Sequence, residues 1–241
     1  MSDTSDNTTK LIEALDSPDK PTIRAAVDDL IPFVQHSADL CETLEQLLQD
    51  DQRANRWAVA YVLAHLPQPS PKTIETLLDG LDHRDPDIRW AVGLLLVRLA
   101  KTEKKIVESL SELCATGSSA QKRMAIYCLR DLNLDDENSL QVFLELFGDP
   151  DPTVRVAAVI SLKDRADIAA EGKKLLLHLF LDDLDFRVRN AAAITLSQLG
   201  SPSEEFLTAL KEANEGENAQ LKKAAASALA ILQNKKVRSI R

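Results

Sequence analysis

The sequence predicts an all-α fold, an α-solenoid of about seven stacked two-helix repeats. Three observations lead there. A basic residue, followed by small apolar residues and then a large aliphatic one, recurs at nearly constant spacing along almost the whole chain. Aromatic residues make up only 4% of the sequence, where strand-rich chains need many. Glycine occurs only 7 times in 241 residues, too rarely for the regular turns of a sheet.

The recurring basic residues are Arg24, Arg56, Arg89, Lys122, Arg155, Arg189 and Lys222, spaced 32, 33, 33, 33, 34 and 33 residues apart. Seven positions after each stands Ile31, Leu63, Leu96, Leu129, Leu162, Leu196 or Leu229. Two positions after each stands an Ala, except for Met124 in the fourth unit. Counted from the basic residue, the apolar offsets are −1, +2, +3, +6, +7 and +10, which form one stripe of an α-helix. This helix is the second of each unit and is called helix B.

The units follow in order. The first B helix carries Asp28 and Asp29 at +4 and +5, where the second and third units carry Ala, Gly, Tyr or Leu, so it reads as a polar end cap of the array. Helix A of the second unit is marked by Leu44, Leu47 and Leu48, and that of the third by Ile74, Leu77, Leu78 and Leu81. Asp85-Pro86 and Asp151-Pro152 start the third and fifth B helices, with Asp as N-cap and Pro at the first helical position. Gly80, Gly117, Gly148 and Gly216 fall near the ends of A helices, where a left-handed residue closes a helix. The last unit, with Lys223 and Ser227, is again polar. Stacked repeats share one continuous core, so 8–234 is expected as a single array. Residues 1–7 are expected as a disordered N-terminus and 235–241 as a frayed basic tail.

The segments DPDIRWAVGLLL from Asp85, DPTVRVAAVISL from Asp151 and DFRVRNAAAITL from Asp185 resemble the HEAT repeat family, particularly its short variety. The likeness covers about residues 8 to 234. It implies concave-face B helices and a polar ladder in which Asp85, Asp151 and Asp185, each four before an Arg, link neighbouring repeats.

On the B helices, offsets +1, +4, +5, +8 and +9 lie outside the stacking stripe. Both Trp and both Tyr of the chain fall in the +1 and +5 columns of units 2 to 4: Trp57, Tyr61, Trp90 and Tyr127. Leu94 shares the +5 column, and Arg98, Arg123 and Arg130 stand around these positions, with Lys163 and Arg165 further on and Lys101, Lys104 and Lys105 in the following loop. Two readings stay open: aromatics filling space between helices, or an aromatic strip with a basic rim that contacts a partner. The candidate partner-binding residues are therefore Trp57, Tyr61, Trp90, Leu94, Arg98, Arg123, Tyr127 and Arg130. Asp131 and Asp164 are candidate groove carboxylates.

No catalytic or metal-ligating residue is assigned and no cofactor is expected. His36, His65, His83 and His178 have no ligand spacing, and none is followed by Glu, unlike the His-Glu pairs of HEAT-type iron hydroxylases. Phosphate-binding glycine loops and nucleophile elbows are missing. Cys41, Cys114 and Cys128 contain no C-x-x-C pair, and Cys128 at +6 reads as a core residue. The net charge of −9 disfavours nucleic acid. No apolar run is long enough to span a bilayer and the N-terminus lacks a secretory pattern, so a cytoplasmic protein is expected. The main functional reading is a non-catalytic scaffold for a protein or peptide, an acidic one suiting the basic rim. The scaffold also resembles that of bilin lyases, which implies tetrapyrrole handling, and of HEAT-like alkylpurine glycosylases, which implies base excision.

Overall fold

The computed structural model describes residues 2–133, 137–163, 165 and 168–239. Within them every regular element is helical, as expected for an all-α solenoid. The A helices are α1 (Ser2–Ala14), α3 (Ala38–Leu47), α5 (Pro71–Asp79), α7 (Lys105–Thr116), α9 (Glu137–Glu145), α11 (Ala170–Asp182) and α13 (Glu204–Glu215). The B helices are α2 (Lys20–Val34), α4 (Arg56–Leu63), α6 (Pro86–Ala100), α8 (Ser119–Asp131), α10 (Pro152–Ile160), α12 (Phe186–Gln198) and α14 (Ala219–Ser239). Helices α5 and α9 end in short 3-10 turns, Gly80–Asp82 and Leu146–Gly148. Helical backbone starts at Ser2 and runs to Ser239, within both segments set apart above as chain ends; Met1, Ile240 and Arg241 lie outside the described residues.

The chain divides into two compact units, Met1–Leu110 and Ser111–Arg241, with the boundary inside α7. In the first, α2 packs on α1, α3 and α4, and α4 packs on α3, α5 and α6. In the second, α10 packs on α8, α9 and α12, and α12 packs on α11 and α14. Helices α4, α10 and α12 are thus each held by their own A helix and by a B helix on either side. The +7 residues Leu63, Leu96, Leu129, Leu162 and Leu196 are all buried, worth about 2 kcal/mol each in area removed from water.

The stripe is wider than the sequence suggested. At +4, Ala60, Gly93, Ile126, Val159 and Ala193 are buried, not exposed. Only Asp28 and Ala226, in the two end repeats, leave +4 open. At 100° per residue, +4 and +5 lie at equal angles of about 130° on either side of the stripe centre, so helical periodicity cannot separate them. Stacking against a neighbouring B helix does: +4 is covered and +5 is left half-buried or exposed.

The helix starts follow the expected caps. Asp85, Asp151 and Asp185 accept the amides of Asp87, Thr153 and Arg187 at 2.8, 2.7 and 2.7 Å. None of them pairs with an Arg of a neighbouring repeat among the described residues, however; Asp85 instead meets Lys20 of the first repeat at 2.8 Å. The inter-repeat rungs are made by Asp149 and Asp183, two residues earlier: Lys122 reaches Asp149 at 2.8 Å, and Arg155 grips Asp183 through Nε and Nη2, both at 2.8 Å. The second Asp of each D-x-D pair faces its own helix N-terminus and is already occupied there.

The glycine expectation is corrected as well. Gly80 and Gly216 have φ of −60° and −71°, and none of the four named glycines has a positive φ. Left-handed backbone among the described residues occurs at Asn133 (φ 48°) and Gly200 (φ 32°), after the B helices α8 and α12. Gly117 closes α7 for a steric reason: a Cβ there would sit 2.7 Å from the Leu113 carbonyl oxygen.

Candidate functional site

In the first unit, α2, α4 and α6 run side by side and leave a groove of about 380 Å³. Its apolar surface comes from Val27, Ile88, Ala91, Trp57 and Tyr61. Trp57 at +1 and Tyr61 at +5 are one helical turn apart, so a single helix face presents both. Small residues at +2 and +3 of α4 (Ala58, Val59) let the helices approach on the opposite flank. The rim carries both signs: Lys20 bridges Asp85 at 2.8 Å and Asp87 at 2.7 Å, and Arg24 lies 4.0 Å from Asp28. The indole Nε1 of Trp57 is buried and has no hydrogen-bond partner. The Trp57 ring meets His83 edge-on, centroids 6.1 Å apart. Tyr61 packs against His65, centroids 5.6 Å apart.

Trp90 and Leu94 share the +1 and +5 columns but lie outside that groove. They stand out on α6, 43% and 61% exposed. Phe33 of α2 is likewise 43% exposed; at +9, it lay outside the two columns singled out in the sequence. Arg98, expected on a basic rim, donates to the Ala64 carbonyl at 3.1 Å and so satisfies the C-terminal end of α4. Burial holds His65 and His83 below the ordinary imidazole value, and Arg98 adds to the effect at His65.

In the second unit, Arg123, Tyr127 and Arg130 are half-buried on α8. Arg130 lies over the Tyr127 ring, 5.2 Å from its centroid, and bridges Asp131 at 2.7 Å. Its charge is therefore met within its own helix, and so is that of Asp131; Asp164 lies outside the described residues. Burial pushes the Cys114 and Cys128 thiols up to about 12, so at neutral pH neither supplies a thiolate. A feature the sequence reading missed is a cavity of about 540 Å³ beside α11, lined by Phe147, Leu175, Leu179 and Leu184. Leu184 is 96% exposed, and its one sequence signal was a lone aliphatic in the acidic turn DDLD.

Among the described residues no group of His, Cys, Asp and Glu could hold a metal ion, and no helix is long and apolar enough to cross a membrane. The family model for HEAT repeats matches three overlapping stretches, 8–97, 74–163 and 140–230. The chain belongs to the HEAT-repeat family. Its HEAT repeats are the seven A–B helix pairs, and the matched stretches take in the groove and both ladder rungs. No curated protein matches the sequence. Similar solved structures include an engineered protein, 20% identical over 93% of this chain and 68% of its own, at a TM-score of 0.43. A designed armadillo repeat protein is 17% identical over 92% of this chain and 98% of its own, with a TM-score of 0.39. A second engineered protein is 17% identical over 95% and 97%, with a TM-score of 0.36.

Proposed function

We propose that this HEAT-repeat chain is a non-catalytic scaffold that holds a segment of a partner protein or peptide on its B helices. The observation that carries this reading is the groove over Trp57 and Tyr61. Large aromatics outside the stacking stripe line a concavity between three B helices, with more apolar surface exposed nearby at Trp90 and Leu94. Trp and Tyr are the residues that most often dominate binding energy at interfaces. A groove of this size takes a few side chains of an extended segment. Arg123, Tyr127 and Arg130 on α8 are proposed as a separate contact patch of the second unit. The mixed charge of the groove rim favours neither an acidic nor a basic segment.

The test is selection of displayed random peptides on the full-length protein, followed by affinity measurement on Trp57→Ala/Tyr61→Ala and Trp90→Ala/Leu94→Ala. Loss of about 2 kcal/mol or more in the groove double variant, with helicity by circular dichroism unchanged, is expected. Unaltered affinity in both variants would remove the aromatic surface from the function.

A further inference from the structure

The D-x-D turns of the fifth and sixth repeats have a counterpart in the third that carries a different chemistry. Asp149 and Asp183 each accept the amide of the residue two ahead, at 2.8 Å in both cases. In the third repeat that place belongs to His83, whose Nδ1 accepts the Asp85 amide at 3.0 Å. A backbone N–H can only donate, so this nitrogen must be unprotonated. A carboxylate keeps its acceptor at any pH above about 4, whereas an imidazole loses it near neutrality.

The groups around His83 leave no room for a second proton. From its own loop and α6 come Arg84 and the Arg89 guanidinium, and Arg89 donates to the His83 carbonyl at 2.6 Å. The carboxylate that acts on the ring is Asp85, already bridged by Lys20 from α2 at 2.8 Å and capping α6, with Asp82 preceding the ring in the chain. From α4 the ring meets Trp57, whose neighbour Arg56 is engaged by Asp51 and Asp79. Protonation would set an N–H against the Asp85 N–H, and the turn must open. That turn holds the cap at the start of α6, the Lys20 bridge on the groove rim and the edge contact on the Trp57 ring.

We propose that His83 is a pH-sensitive latch on the groove of the first unit: neutral, it holds the groove closed-packed and binding-competent, and its protonation on acidification releases the wall formed by Trp57 and the N-terminus of α6. The binding part of this inference rests on the function proposed above; the structural part does not.

The experiment uses the full chain with Trp90→Phe, which leaves Trp57 as the only tryptophan. Its emission is followed from about pH 8 to pH 5, with the His83 ring titrated in parallel by NMR. The expected result is one sigmoidal change whose midpoint matches the His83 titration and lies below 6.5. It should be abolished in that background by His83→Asn, and independently by His83→Asp, which installs the residue of the other two turns. His65 is the control, because it packs on Tyr61 at the same groove. A transition that survives both His83 variants, or disappears in His65→Gln, overturns the proposal, as does a flat emission in the parent. Peptides selected on the wild-type groove should then bind roughly fivefold or more weakly at pH 5 than at pH 7.5, by depletion of the competent state. His83→Asn should bind equally at both. If no peptide binds at any pH while the Trp57 transition follows His83, the scaffold reading fails and the latch stands.

Discussion

Asp149 and Asp183 are the residues on which the second unit turns most sharply. Each is almost completely buried, takes a cation from the preceding repeat and accepts an amide of its own turn. Removing one carboxylate leaves a half-buried Lys or Arg without its partner, which costs more than the net worth of the pair. Asp183→Ala is expected to destabilise by about 3–5 kcal/mol, read as a lower urea midpoint. Asp183→Asn, which keeps the turn acceptor, should cost visibly less. If both cost the same, the ion pair and not the turn is the main contribution. At the thiols, burial predicts that Cys114 and Cys128 stay unreactive toward a thiol reagent in the native protein, so that only the half-buried Cys41 reacts, slowed by its own raised thiol. All three should react in urea. Three fast thiols without denaturant would contradict the buried placement. Acid sensitivity also has a residue-level origin. The Ser119 hydroxyl, with Thr153, holds Asp151 down to about 2, and Arg187 does the same for Asp185. Carboxylates depressed in the fold contribute stability above their unfolded value of about 4 and lose it as pH falls toward 2. His83, also depressed in the fold, contributes above about 6.5 and loses its share as pH falls through its lower folded value. Two separate losses on acidification are therefore expected; His65, lowered likewise by burial, shares the upper one, so His83→Asn should reduce it without abolishing it.

At the level of helices, most of the architecture was legible and the reasons are specific. The B helices repeat a stripe in which Ala or Met at +2 and Leu or Ile at +7 cannot be exchanged for polar residues without opening the stack, so the period survives in the sequence. The starts of α6 and α10 were legible because an Asp-Pro pair supplies both the cap and the first helical residue. The ladder was not, because D-x-D offers two carboxylates to one guanidinium and only the folded turn decides which is free. Nor was the split of +4 from +5, which are equivalent by angle and differ only by what packs against them. The candidate site shows the same boundary. Trp57 and Tyr61 share a groove because both sit on α4, but Trp90 shares their column and not their groove. Arg98 looked like a surface charge and is a helix-end donor, a role set by the position of Ala64 and invisible along the chain. Helix ends give a further test. Gly200 has φ of +32°, so Gly200→Ala should cost about 1 kcal/mol, seen as a lower thermal midpoint. Gly148→Ala, with open space around its Cβ position, should be nearly neutral. Equal effects would mean that the left-handed turn is not required.

Across the whole chain, 38 acidic residues face 29 basic ones, and several of the basic residues once assigned to a rim are engaged within the fold. Long-range attraction to a phosphate backbone is therefore absent at the level of net charge. Duplex DNA should not be retarded by the protein even at about 50 mM salt, where phosphate-binding proteins bind most strongly. A clear shift at that ionic strength would reopen base excision as a reading. Repeat arrays are usually treated as chains of nearest-neighbour interactions, each unit responding only to the next. The Lys20 bridge breaks that rule, because it joins the first repeat to the third over the head of the second. It works as a tie-rod across an arch: α4 is the keystone, and the span between α2 and α6 is set by a strut lying partly in water. Such a strut stiffens the arch against bending and contributes little to whether it stands, and it slackens as salt rises. Mechanical compliance of the first three repeats is thereby placed under the control of ionic strength, while their melting temperature should scarcely register the change.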